Sequence, residues 1–304
     1  MRCISIVYGI LLLPATMFST ASAQATKSDD YPAFFRIAHR GARGAMPENT
    51  IPAMKKAIDQ GANTLELDIH ITKDNKVVVY HDASLNPDYT THPGGEEIPK
   101  DKRKDYTLYK MNYDEIRKFD VGSKYYATFP EQEKLATYAP LLSELIDSVE
   151  AYTKARKVAP VYYLVEIKSN EKMDGIEQPS PAEYMRILMD MLNKKQLGNR
   201  LLIQSFDMRP LQVLHAKYPG LALGFLTSDK TKSFTEHIGL LGFTPFFYNP
   251  NYLLVTEDLV NECHSKKIRI TPWTVNDEVV ISKLKKMGVD GIISDFPDRI
   301  SKQN

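Results

Sequence analysis

The chain has 304 residues, 43% of them hydrophobic and 25% charged, with a formal net charge of +1. That balance belongs to a globular protein with a full-sized core, and it excludes a disordered chain or a strongly basic nucleic-acid surface. Residues 24–304 suffice for one large domain.

The N-terminus reads differently. Met1 and Arg2 precede an apolar run from Ile4 to Leu13, and Ala21-Ser22-Ala23 follows as a small-x-small cleavage signature. Residues 1–23 are therefore expected to be a signal peptide, which places the mature chain in the periplasm or outside the cell. The apolar run is shorter than the roughly 20 residues of a membrane-spanning helix, so no stable membrane insertion is expected after cleavage. Cys3 leaves with the peptide, and Cys263 alone cannot form an internal disulfide, so the fold must rest on its core.

Phe34 to Ala38 reads as a buried strand that breaks at His39-Arg40-Gly41-Ala42-Arg43-Gly44 into a loop. Asn49 or Thr50 is placed to cap a helix that holds Pro52 in its first turn and stops at Gly61. Leu65 to Ile71 then alternates without a break. Leu65, Leu67, Ile69 and Ile71 share one face, and Glu66, Asp68 and His70 the other. A surface strand has the same pattern, but the turn and the second strand that follow it favour a site. After a turn at Lys73 to Lys76, Val77 to Tyr80 forms a second apolar strand that delivers His81 and Asp82.

Two carboxylates projecting side by side repel each other unless a cation sits between them, and oxygen-only ligands suit calcium or magnesium. Histidines titrate near neutral pH, and the Arg40 fork matches a pair of phosphate oxygens. Metal, acid–base pair and phosphate clamp together describe phosphoryl-ester hydrolysis.

From 83 to 138 the periodicity fails, apart from one short helix expected from Asn112 to Phe119, and the stretch reads as an insertion beside the site. Its charge run, Lys100 to Asp105, reads as a solvated face. Strands and helices then alternate. Helices are expected at Leu141 to Tyr152, Pro181 to Asn193, Pro210 to Lys217, weakly near Phe234, Glu257 to Lys266 and Asp277 to Met287. Between them lie strands at Val161 to Ile167, Leu201 to Gln204, Leu221 to Phe225, Phe246 to Tyr248 (poor), Ile268 to Trp273 and Gly291 to Ile293.

About eight such units predict a closed (β/α)8 TIM barrel, with catalytic groups at the C-terminal strand ends. No Gly-x-Gly-x-x-Gly turn supports a dinucleotide fold. Glu166 and Lys168 share one face at the end of a buried strand, where a charge pair is costly unless the site uses it. His70 is left out of the site, Asp295 is expected to be structural, and His92, His215, His237 and His264 are expected on the surface.

His39-Arg40-Gly41, Pro47-Glu48-Asn49-Thr50, Glu66-x-Asp68 and His81-Asp82 after a run of valines, in this order and spacing, resemble the glycerophosphodiester phosphodiesterase family. The resemblance spans nearly all of residues 24–304 and is weakest over the insertion. It implies hydrolysis of small glycerophosphodiesters such as glycerophosphocholine to glycerol-3-phosphate and an alcohol. His39 and His81 would be the acid–base pair, and Glu66, Asp68 and Glu166 the ligands of one divalent ion, Ca2+ or Mg2+. Arg40 and Lys168 would meet the phosphate, and Trp273 would lie against the substrate. Two other readings stay open: a phospholipase acting on intact lipid headgroups, and a barrel that binds a phosphodiester without cleaving it. The division of labour between the histidines, the nucleophile and the oligomeric state are also open.

Overall fold

The computed structural model describes residues 31–302, so the signal peptide expected at 1–23 lies outside the described residues. The first half of the fold comprises β1 (Phe35–Ala38), α1 (Ile51–Asp59), β2 (Thr64–Ile71), β3 (Val77–Val79), α2 (Tyr113–Ile116), α3 (Leu142–Arg156) and β4 (Tyr162–Ile167). Strand and helix then alternate through α4 (Pro181–Leu192), β5 (Leu201–Ser205), α5 (Met208–Lys217), β6 (Ala222–Thr227) and α6 (Phe234–Leu241). The remainder is β7 (Phe247–Pro250), α7 (Glu257–Ser265), β8 (Arg269–Ile270), α8 (Glu278–Lys286), β9 (Gly291–Ser294) and α9 (Pro297–Ser301).

Eight parallel strands run in the order β8-β7-β6-β5-β4-β2-β1-β9, and β3 pairs antiparallel with β2 beyond them. The ends of this path meet. Asp290 N donates to Ile270 O at 2.9 Å and Ile293 N to Pro272 O at 3.0 Å, so β8 and β9 close the barrel with few but regular bonds. β8 is only two residues long, against the six expected, but its continuation still bonds to both neighbours. Trp273 N reaches Pro250 O at 3.1 Å, and Val275 N reaches Ile293 O at 2.9 Å.

Alternation sorts each strand between two apolar layers. Leu65, Leu67, Ile69 and Ile71 face outward into the core shared with the helices, beside Met54, Leu145 and Leu188. Phe35, Ile37, Leu164, Leu202, Phe247 and Ile293 face inward and fill the barrel. Every residue of β2 is buried, so the surface-strand reading of its polar face fails. Phe35 meets Phe247 edge-on, with ring centroids 4.9 Å apart.

Several elements depart from expectation for local reasons. The weak helix near Phe234 is regular α6, started by a reciprocal cap between Ser233 and Glu236. The insertion helix shrinks to α2, although Asn112 N still bonds Glu115 Oε2 at 2.9 Å. His237, expected on the surface, is buried in α6 with Nδ1 2.8 Å from the Tyr248 hydroxyl. His92 is half-buried and bonds Tyr106. Residues 83–139 carry their own small core, including Leu85, Tyr89, Leu108, Ile116 and Val121. Cys263 is buried in α7, where desolvation pushes its thiol up to about 12. No helix among the described residues is long and apolar enough to cross a membrane.

Phe35→Ala removes a fully buried ring from the barrel interior and is expected to lower unfolding free energy by about 3–5 kcal/mol. Urea unfolding followed by circular dichroism measures this as a lower midpoint at unchanged slope.

Candidate active site

The site is assembled by strand register. Asp68 on β2 lies directly opposite Glu166 on β4, and Glu66 sits two residues before Asp68 on the same inward face. Within each inward row, apolar residues at the strand start give way to polar ones at its C-terminal end. β4 runs Tyr162, Leu164, Glu166 and then Lys168 beyond the strand, while β5 runs Leu202, Gln204. Glu66 and Asp68 have no solvent exposure, and ligand oxygens from Glu66, Asp68 and Glu166 all lie within 4.8 Å of one another.

Three buried carboxylates demand compensation. Glu66 accepts from Arg40 N at 2.8 Å and from Gln204 Nε2 at 3.3 Å. That amide is part of a relay: Asn249 Nδ2 donates to Gln204 Oε1 at 2.7 Å, and Thr271 Oγ1 to Asn249 Oδ1 at 2.5 Å. Asp68 accepts from Asn49 Nδ2 at 2.8 Å and is ion-paired with Arg40 Nε at 3.2 Å and Lys168 Nζ at 3.0 Å. Lys168 Nζ also lies 2.5 Å from Glu166 Oε1. Apart from the Lys168 ammonium, Asp68 Oδ1 and Glu166 Oε1 have no donor beside them.

The charges follow from these surroundings. Burial, then repulsion from Asp68 and Glu166, raises Glu66 well above the carboxylate range. Burial also raises Glu166, with Lys168 opposing. At Asp68 burial acts upward too, but Lys168 and Arg40 outweigh it and hold the group well below its ordinary value. An all-oxygen cradle of three buried acids, two of whose oxygens have no neighbour but the Lys168 ammonium, fits a hard divalent cation.

The loop after β1 depends on left-handed backbone. Arg40, Gly41 and Asn49 all have positive φ, and a Cβ on Gly41 would lie 2.7 Å from the backbone of Ala53 in α1. Thr50 caps α1, with Ala53 N reaching its Oγ1 at 3.3 Å, which frees Asn49 to bind Asp68.

Both histidines are held through Nδ1. His39 Nδ1 lies 2.7 Å from Asp295 Oδ1, and His81 Nδ1 lies 2.8 Å from Asp82 Oδ1. Burial, then Arg40, lowers the His39 pKa, and Asp295 opposes them. Burial pushes Asp295 up, but His39, Arg43 and the Asn276 amide outweigh it and hold the carboxyl at about 2. Asp82 is likewise held at about 2, where His81 and Arg103 overcome burial. His70 lies below the site, its Nε2 3.0 Å from the His81 carbonyl oxygen, and burial lowers it to about 4.

His39, Arg40, Glu66, His81, Glu166, Lys168 and Trp273 line one cavity of about 330 Å3. Asp68 lies in its wall behind Lys168. All eight residues singled out from sequence are thus brought together. Sequence reasoning missed Arg43, which also lines the cavity, pairs with Glu48 at 2.5 Å and stacks on Phe129 at 4.7 Å. It also took Asp295 as merely structural, whereas that carboxylate orients His39.

A parallel barrel carries two carboxylate-held histidines at its strand ends, beside an acidic cradle that could hold a metal ion, and this is a hydrolase-type site. Residues 39–299 match the glycerophosphoryl diester phosphodiesterase family model, and the chain belongs to that family. The chain is 32% identical over 270 residues to a glycerophosphodiester phosphodiesterase of Bacillus altitudinis, covering 88% of this chain and 96% of that protein. The solved structure of a Silicibacter pomeroyi DSS-3 protein aligns with TM-score 0.78 at 31% identity, covering 90% of this chain and 93% of that one. An Oleispira antarctica phosphodiesterase, solved with its product sn-glycerol-3-phosphate, aligns with TM-score 0.70 at 23% identity, covering 90% and 97%. The chain is therefore a phosphoric diester hydrolase of the glycerophosphodiester type, which removes the non-catalytic reading.

Because Asp295 moves from an ordinary 3.8 to about 2 on folding, its contribution is complete above pH 3.8 and is lost as pH falls from there to about 2. The attraction operates once His39 carries its second proton, as it does toward low pH. The contribution is about 2 kcal/mol. Asp295→Asn is expected to lose less stability than the wild type between pH 5 and pH 3, as read from urea midpoints.

Proposed function

We propose that this enzyme hydrolyses glycerophosphodiesters such as glycerophosphocholine to glycerol-3-phosphate and an alcohol, with His39 and His81 as the acid–base pair beside one divalent ion. The observation that carries this reading is the pairing of each imidazole with its own carboxylate, in the same cavity as the three-acid cradle. The Oleispira enzyme's product complex supports the same product here.

Glu66, Asp68 and Glu166 would hold the ion, and their oxygen-only chemistry suits calcium or magnesium. When bound, the ion supplies positive charge to a non-bridging phosphate oxygen and stabilises the charge that builds there. Lys168 and Arg40 add fixed positive charge from the protein. Arg40 is already tied to Glu48 at 2.7 Å and to Asp68 at 3.2 Å, so it acts from a rigid position.

A carboxylate at Nδ1 fixes the tautomer of each histidine and leaves Nε2 for proton exchange. His39, kept neutral by burial and by Arg40, takes the proton from the nucleophile. His81 then supplies a proton to the leaving alkoxide, and the Asp82 carboxylate steadies its charged form. Residues 1–23 direct export, so the substrate is met outside the cytoplasm.

Release of glycerol-3-phosphate from glycerophosphocholine is expected to stop with chelator and to return with calcium or magnesium. His39→Ala and His81→Ala are each expected to lose about 10²–10⁴-fold in kcat. A p-nitrophenyl phosphodiester, whose leaving group needs no proton, should restore His81→Ala but not His39→Ala. Turnover indifferent to chelator would remove the ion from the reading, and equal rescue of both variants would reverse the division of roles. N-terminal sequencing of the exported protein is expected to begin at Gln24.

A further inference from the structure

The charge run from Lys100 to Asp105, expected to be a solvated face, does not give all of its charges to water. It forms most of a 3-10 helix, Lys100–Tyr106, in which Arg103 is half-buried while the other five residues of the run are exposed. Three residues per turn stack Lys100, Arg103 and Tyr106 on one side. All three reach residues 82–92: Lys100 Nζ lies 2.8 Å from Asp88 Oδ1, Arg103 Nη2 2.9 Å from Asp82 Oδ2, and the Tyr106 hydroxyl 3.1 Å from His92 Nε2. The helix is also fastened through its backbone. Leu85 N donates to Tyr106 O at 3.0 Å and Leu108 N to Ala83 O at 2.9 Å, with the Ser84 and Thr107 hydroxyls 3.0 Å apart between them. Arg103 is thus carried on a segment bonded to the residues that directly follow Asp82.

The Arg103 ion pair completes the surroundings of the carboxylate. Asp82 Oδ1 faces His81 Nδ1 at 2.8 Å, and Oδ2 accepts from Asn86 Nδ2 at 2.7 Å beside the Arg103 guanidinium. With both oxygens engaged, the carboxylate is held against rotation and Oδ1 stays on the imidazole. The two histidine pairs differ in how much they need such support. His39 and Asp295 leave 13% and 5% of their side chains exposed, against 30% and 19% for His81 and Asp82. Packing holds the first pair, whereas the second stands at the rim, where bonds to neighbours must fix it. Neither Arg103 nor Asp82 is among the residues that line the cavity, so an effect of Arg103 on the reaction has to pass through Asp82.

We propose that Arg103 is a positioning residue for the proton delivered to the leaving alcohol: it fixes Asp82, and through Asp82 the ring of His81. This rests on the reading of His81 as the acid. Arg103 touches no reacting atom. Its loss leaves His81 in place but frees the Asp82 carboxylate and the imidazole to swing, so that the Nε2 proton points at the leaving oxygen less often. The insertion then supplies part of the catalytic apparatus as well as a brace for the loop after β1.

The test measures kcat and KM of the mature enzyme, with calcium or magnesium, on glycerophosphocholine and on a p-nitrophenyl phosphodiester. Arg103→Ala is expected to lower kcat for glycerophosphocholine about tenfold, with KM changed by no more than about twofold. Arg103→Lys, which keeps the charge, should regain most of that loss. Turnover of the p-nitrophenyl diester should fall much less in Arg103→Ala, because its leaving group needs no proton. In an Asp82→Asn background Arg103→Ala should add little, since its route to His81 is already cut. Unchanged glycerophosphocholine turnover in Arg103→Ala, an equal loss on both diesters, or a fully additive loss beside Asp82→Asn overturns this inference and leaves the phosphodiesterase reading standing. Wild type that cleaves neither diester, or His81→Ala that the p-nitrophenyl diester does not restore, overturns the reading of the site and this inference with it.

Discussion

Three carboxylates facing one another inside a barrel cannot all keep their charge without cations beside them, because neither water nor distance screens them there. Much of the site follows from that constraint. Arg40 and Lys168 are drawn against Asp68, Glu66 takes donors from a backbone amide and a buried glutamine, and Asn49 is released from helix capping to bind a carboxylate. Breaking such a network by removing one cation would leave an uncompensated buried charge, and Arg40 is itself held in place by Glu48. The same three acids form a cradle that could hold a divalent ion.

The insertion is part of this arrangement. Tyr126 lies 3.3 Å from Arg43 Nη2, Gln132 Nε2 donates to Arg43 O at 2.7 Å, and Glu133 N donates to Ala45 O at 2.9 Å. These contacts fall on the loop after β1, which carries His39 and holds Arg40 in a left-handed backbone conformation that needs outside support. Tyr89 approaches Glu48 from the insertion's small core at 3.5 Å. The stretch with the least periodic sequence thus braces the loop with the strictest geometry.

What could be read from the sequence was what period and spacing encode. The unbroken alternation from Leu65 to Ile71 put Glu66 and Asp68 on one face, and Glu166-x-Lys168 did the same for β4. Neither pattern says that Asp68 and Glu166 face each other, because that is a matter of register between strands about a hundred residues apart. Asp295 was underrated because its partner, His39, lies 256 positions away. The Ser233/Glu236 cap was present in the sequence, but the glycine and histidine in that helix hid it. His237 is buried because the Tyr248 hydroxyl satisfies its ring, a pairing no local pattern reveals.

Cys263 has a consequence of a different kind. It is the sole thiol among the described residues, fully buried and with its ionisation suppressed, so it offers oxidants and alkylating reagents almost no thiolate. With a single thiol, the described barrel can form no disulfide within itself. Its one sulfhydryl instead becomes a built-in clock for the opening of α7 against the barrel wall, since labelling can proceed only as fast as that helix comes away.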